Sequence, residues 1–204
     1  MMARLLYQGH GSLRITAANG ETLYVDPFAG QGYDRPAALV LVTHEHFDHN
    51  AVERVCRSPG AQVLRAKDFL KNGHFHGKDI GAFNIQSAPA GNKNHDPAAC
   101  VGYIIRVDDV KVYCAGDTSS TAAMEKNLAE MSLDYALLPT DGVFNMDAEE
   151  ASHCAALIGA KHSIPIHTMP VHAGNNPGFC QKAADAFHCS GKLVLQPGEE
   201  IFLS

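Results

Sequence analysis

The chain has 204 residues, 46% of them hydrophobic, and a formal charge of −6. That is enough apolar material for one large core, and an acidic balance with no concentrated Lys/Arg run excludes the phosphate-neutralising surface of a nucleic-acid binder. Six cysteines without a C-x-x-C pair read as free thiols of a reduced compartment, not as a disulfide framework. No apolar stretch reaches bilayer length, and Met1 to Tyr7 lacks the apolar core of a signal peptide. The expectation is a cytoplasmic protein without a membrane partner, folded as a single domain over residues 1–204.

In chain order, Arg4–Tyr7, Ser12–Thr16 and Thr22–Val25 read as strands, the last two joined by an Asn19-Gly20 turn. Gly9-His10-Gly11 makes a tight bend between the first two, with an imidazole at its centre. His10 there is either a support behind an active centre or a solvated turn residue. The apolar run Ala38–Val42 predicts a buried strand. Ala51–Cys56 predicts a short helix, Ala61–Arg65 a strand, and Ala66–Lys71 a helix stopped by Asn72-Gly73. Ile80–Ala88 is strand-like, and Cys100–Val107 with Val110–Cys114 forms a hairpin across Asp108-Asp109. Beyond Thr118 helices and strands alternate: a helix over Thr121–Met131, a strand over Tyr135–Leu138, a helix over Asp147–Ile158, a strand over His162–Ile166 and a helix over Pro177–Cys189. Leu193–Gln196 and Glu200–Leu203 are expected to close the chain as short strands. The two halves echo each other, each passing from strand pairs to strand-and-helix units, which is an α/β pattern.

The chemistry concentrates directly after Ala38–Val42, in Thr43-His44-Glu45-His46-Phe47-Asp48-His49. Alternate residues of an extended segment share a side, so His44, His46 and Asp48 converge as the strand ends and His49 enters from the next peptide. A lone His-x-His is commonly a surface turn. Four ligand-type side chains in six residues gain nothing in packing, because each buried imidazole needs a partner. Neutral imidazoles with carboxylates suit zinc first and also accept manganese or iron. Two further strand ends carry candidates, Asp117 after Cys114-Ala115-Gly116 and His167 after Ile166, and ligands gather at the carboxyl ends of strands in sheets with helical crossovers. His95, in a polar loop, is a better candidate than His74 or His76, which no strand delivers. His153, His162 and His188 read as surface or capping residues. His172 and Lys93 sit in loops. Either could reach a substrate, and a lysine there would favour an anionic one, although solvent exposure is the plainer expectation for both.

His44-x-His46-x-Asp48-His49, His95, Asp117 within Ala-Gly-Asp-Thr, His167 within Ile-Pro-Ile-His, and Asp26 after an early strand together resemble the metallo-β-lactamase fold superfamily, from about residue 4 to the C-terminus. Gly9-His10-Gly11-Ser12, Val25-Asp26-Pro27-Phe28, Leu137-Leu138-Pro139-Thr140 and Met146-Asp147-Ala148-Glu149-Glu150-Ala151 are similar to its compact group containing ascorbate-6-phosphate lactonase. Departures are Ala148, where proline is frequent, and Thr168, where an aromatic is frequent. The resemblance implies a four-layer αββα sandwich of two mixed sheets flanked by helices, with a dinuclear site at one edge. It implies one divalent metal ion on His44, His46 and His95, and a second on Asp48, His49 and His167. Asp117 would bridge them, and Asp26 would brace the metal loop from behind. Zn2+ is the expected cofactor, and Mn2+ also fits. The implied reaction is hydrolysis of a small ester, lactone or phosphodiester by a metal-bound hydroxide, with Asp48 orienting the nucleophile and shuttling a proton. Competing readings are an iron-dependent oxidoreductase on the same fold and a non-catalytic metal-binding module. A carboxylate would be expected at His46 in the diiron reductase branch.

Overall fold

The structure, a computed structural model, describes residues 2–204. Two six-stranded sheets face each other. Strands β1 (Arg4–Gly9), β2 (Ser12–Thr16), β3 (Thr22–Val25), β4 (Ala37–Val42) and β5 (Arg57–Arg65) build the first sheet. Helix α1 (Ala66–Phe69) and the small hairpin of β6 (Leu70–Lys71) and β7 (His74–Phe75) cross to the second. That sheet holds β8 (Gly77–Ile80), β9 (Phe83–Pro89), β10 (Val101–Val107), β11 (Val110–Cys114), β12 (Tyr135–Pro139) and β13 (His162–Ile166). Helix α2 (Ala148–Ile158) precedes β13, α3 (Gln181–Ala186) follows it, and β14 (Glu200–Phe202) returns to the first sheet beside β1. The echo between the halves is visible in the pairing. In each sheet three neighbouring strands run parallel (β3, β4, β5; β11, β12, β13) and the others pair antiparallel.

Period-two alternation explains the layers. Leu39 and Leu41 of β4 face Tyr135 and Leu137 of β12 within one core shared by the two sheets. Val40, between them, points outward to Tyr24, Tyr33 and Val55. Ala136 and Leu138 point outward beneath α2. Strands covered on both faces carry uninterrupted apolar runs, which is why Ala38–Val42 was recognisable. α2 begins at Asp147, whose carboxylate accepts from Glu150 N at 2.8 Å, and ends at Gly159 in the left-handed conformation. Ala151, Cys154, Ala155 and Ile158, at i, i+3, i+4 and i+7, bury its apolar stripe.

Several expected elements differ at their edges. The helix expected over Ala51–Cys56 is a single 3-10 turn, Val52–Arg54, so with the Tyr33 loop it makes a thin outer layer. Ile80–Ala88 is split at Gly81 (φ +54°) into the β8–β9 hairpin. Thr121–Met131 winds as a widened π turn, Met124–Leu128, then a 3-10 turn that stops at left-handed Ser132. The helix expected over Pro177–Cys189 is reduced to Gln181–Ala186, because Cys180 N is held by Thr168 Oγ1 and Phe187 is already extended. Leu193–Gln196 forms no strand; its neighbour Lys192 bridges Ser163. Among the described residues no helix is long and apolar enough to cross a membrane.

Candidate metal centre

Parallel strands of both sheets deliver their carboxyl ends to one edge. Val25 leads to Asp26, Val42 to Thr43–His49, Cys114 to Asp117, Pro139 to Asp141 and Ile166 to His167; the β1–β2 turn adds His10 and the loop after β9 adds Asn92 and His95. Close approach of the sheets needs a glycine at Gly116, which has φ +66° and whose Cβ would lie 3.0 Å from Thr43 Cβ. His10, Asp26 and His167 also have positive φ, between 45° and 53°. That region costs L-residues of order 1–3 kcal/mol and is retained where the surroundings over-determine it, commonly at functional sites.

The seven candidates come together. Asp117, 3% exposed, lies at the centre: Oδ1 is 3.3 Å from His49 Nε2, and Oδ2 is 3.2 Å from His95 Nε2, 3.5 Å from His167 Nε2 and 4.0 Å from His44 Nε2. Three overlapping groups have ligand atoms within 4.8 Å of one another: His44, His46 and His95; His44, His49 and Asp117; and His10, Asp48, His49 and His167. His46 is the exposed member. His74 and His76 are exposed on and beside β7 and join none of these groups.

The imidazoles are oriented from behind. Nδ1 faces Thr43 Oγ1 at 3.0 Å in His44, Asp26 Oδ2 at 2.9 Å in His49, Asn92 Oδ1 at 3.0 Å in His95, and Asp141 Oδ2 at 3.1 Å in His167. Asp26 accepts also from Thr43 N and Thr43 Oγ1, both at 2.7 Å, so one carboxylate fixes the metal loop and one of its rings. These rear contacts leave each Nε2 turned inward, although at His167 the contact with Asp141 is an ion pair outside hydrogen-bond alignment. Nε2 of His44, His49 and His167 is buried without a hydrogen-bond partner among the described residues. Orphaned ring nitrogens around a carboxylate are costly in a protein interior, and they are the donor set a pair of divalent cations satisfies, with the rear contacts fixing tautomer and ring angle.

Electrostatics follows from that crowding. Burial raises the Asp117 carboxyl, but His167 and His49 outweigh it and hold it well below the usual range. Burial lowers His49 and His167, yet Asp117 and the carboxylates behind them, Asp26 and Asp141, hold both above the ordinary imidazole value. His44 goes the other way, with burial and then His49 driving it well below. Asp48, despite burial, is brought to about 2 by the His10 hydrogen bond and the field of His49.

Asp141 and Asn92, which stand behind His167 and His95, were not among the residues singled out from the sequence. Asp141 follows β12 as Asp117 follows β11, so the strand-end rule would have found it. Asn92 shares the polar loop with His95 and carried no separate signal.

A sandwich of two mixed sheets with clustered metal-ligating side chains at the strand ends defines the binuclear metallohydrolase class of the metallo-β-lactamase fold. The description "Beta-lactamase superfamily domain" matches residues 4–167. The chain is 33% identical to a UPF0173 metal-dependent hydrolase of Methanoregula boonei, over 97% of this chain and 96% of the relative. It is 30% identical to one of Nitratidesulfovibrio vulgaris, over 100% and 96%. The chain therefore belongs to the beta-lactamase superfamily and, within it, to the UPF0173 metal-dependent hydrolases; the likeness is not specifically to ascorbate-6-phosphate lactonase. A metallo hydrolase of Ignicoccus hospitalis superposes with a TM-score of 0.70 at 24% identity, covering 98% of both chains, which shows the shared fold.

Proposed function

We propose that the chain hydrolyses a small carboxylic ester or lactone, with two Zn2+ ions as cofactor. His44, His46 and His95 would hold one ion, Asp48, His49 and His167 the other, with Asp117 between them. The observation that carries this reading is the Asp117 carboxylate, within 4.0 Å of four inward Nε2 atoms contributed by both clusters. Bound divalent ions would lower the pKa of an attacking water toward neutrality and polarise the target carbonyl. The chain's own contribution is placement. Asp48 is ionised at neutral pH, and its Oδ1 has no hydrogen-bond partner among the described residues. That oxygen would orient the water and carry its proton to the leaving group.

The pocket favours an ester or lactone over a phosphodiester. About 250 Å³ opens beside His46, Asp48, His95 and Asp117, walled by Phe47, Asn94, Phe144 and Val171. Among the described residues no Lys or Arg lines it, and Lys93 is exposed outside it. Phe47, Val143 and Met169, large apolar side chains left exposed, stand on the loops that carry site residues. His172 is exposed and meets Phe144 edge-on at 5.5 Å, at the rim. Such walls suit a neutral substrate with a short apolar group. The zinc-loaded protein should turn over acetate and butyrate esters and γ-lactones faster than bis(p-nitrophenyl) phosphate, and lose that activity to chelation. Phe144→Ala should raise KM for butyrate more than for acetate at unchanged metal content. Preference for the phosphodiester would overturn the substrate assignment, and chelator-resistant turnover the metal assignment.

A further inference from the structure

We propose that His10 is a protein ligand of the second cation, joining Asp48, His49 and His167 through Nε2. The inference rests on the two-cation reading above. One ligand atom from each of these four buried side chains lies within 4.8 Å of the others. His10 Nε2 is 3.1 Å from Asp48 Oδ2, and its ring lies 3.6 Å from that of His167 and 5.6 Å from that of His49. Zinc–nitrogen and zinc–oxygen bonds of about 2.0–2.2 Å in a tetrahedron place neighbouring ligand atoms roughly 3.3–3.5 Å apart, so a 3.1 Å pair fits two ligands of one ion nearly as well as a hydrogen bond.

The turn that carries His10 is built to press its ring inward. Its backbone sits at φ +53°, and its carbonyl is tied by Tyr7 Oη at 3.1 Å and by His167 N at 2.9 Å. Gly11 must lack a side chain, since a Cβ there would lie 2.7 Å from His49 Cε1. Unlike His44, His49 and His95, His10 has no hydrogen-bond partner on Nδ1 among the described residues, and unlike His167 it has no carboxylate paired there; its ring is set by packing between His167 and Phe28. With His10 included, the centre is asymmetric. The second cation is enclosed by four buried side chains, whereas the first rests on three imidazoles whose exposed member, His46, lines the pocket. Both cations then border the same pocket, the first through His46 and His95 and the second through Asp48 alone.

The test compares His10→Ala with His10→Gln. The glutamine amide nitrogen replaces Nε2 as a donor to Asp48 but is a poor zinc ligand. Demetallated wild type and both variants are titrated with Zn2+ and with Co2+, reading stoichiometry, affinity and the cobalt absorption bands; circular dichroism and thermal unfolding of the metal-free forms confirm that they fold. Wild type should bind two ions, and both variants should keep the first while the second weakens at least about tenfold, with loss of one set of cobalt bands. Two ions at unchanged affinity in either variant, including the case in which only alanine weakens the site, overturns the assignment, as does loss of both ions. A wild type that binds fewer than two ions overturns the two-cation reading and the assignment with it.

Discussion

Replacing Asp141 by Ala removes the carboxylate behind His167 and the anchor of the loop that presents Phe144. Asp141 Oδ1 accepts from Val143 N at 2.8 Å and Phe144 N at 2.7 Å, and Oδ2 accepts from Asn145 Nδ2 at 2.8 Å while lying 3.1 Å from His167 Nδ1. The three loop bonds are partly solvated, so at a net 0.5–1.5 kcal/mol each their loss should cost about 1.5–4.5 kcal/mol of stability. Loss of an orienting partner behind a metal-binding imidazole typically costs tenfold to a hundredfold in affinity, about 1.4–2.7 kcal/mol. Asp141→Asn largely separates the two effects: its Oδ1 still accepts from Val143 N and Phe144 N, whereas its amide nitrogen can accept neither from His167 nor from Asn145 Nδ2. The asparagine variant should lose less thermal stability than the alanine variant, since only the Asn145 bond of the three goes, yet lose about tenfold in affinity for the second cation, measured against a competing chelator. The alanine variant should lose both. Wild-type metal affinity in the two variants would refute the claim that Asp141 acts through His167.

The metal-free protein should be most stable near the ordinary imidazole pKa of about 6.5. Burial lowers His10 to about 4 and lowers His44 and His46 as well; being neutral in the fold, they contribute stability above that ordinary value that is lost as pH falls. His49 and His167, raised chiefly by Asp117 against burial, contribute stability below it that is lost as pH rises through their folded values. Thermal midpoints in a chelating buffer across about pH 4 to 9 should therefore form a dome, and a monotonic curve would contradict the opposed shifts. Zinc uptake must displace protons from His49 and His167, so its apparent affinity should rise with pH, which isothermal titration in buffers of different ionisation heat can read. Gly11→Ala should cost about 1–3 kcal/mol by overpacking against His49 and reduce bound metal, checked by thermal unfolding and elemental analysis; an unaffected metal content would show that the ring has room to move.

How much of the protein was legible in its sequence depended on whether a residue's reason for being there was local. Ala38–Val42 could be read because a strand covered on both faces needs an unbroken apolar run, and the ligand cluster after it because no packing argument places four such side chains together. Asp26 was found through family likeness, and its three hydrogen bonds to Thr43 and His49 supply the physical reason. His10 stayed ambiguous because its burial depends on the other sheet, through the bond from His167 N. Asp141 and Asn92 were missed because their partners, His167 Nδ1 and His95 Nδ1, are set by tertiary placement. The irregular turn at Met124–Leu128 and the shortened α3 were likewise decided by what they pack against and which side chains hold their ends, which helix periodicity does not encode.

Counting metal ions per chain while following hydrolysis tests the account most directly. Protein purified without added metal and then loaded with Zn2+ should carry two ions per chain and hydrolyse a short-chain ester or lactone, and Asp117→Ala should lose bound metal and turnover together. Turnover by metal-free protein, or full activity in Asp117→Ala with its metal gone, would contradict a hydrolase built around a shared carboxylate between two cations.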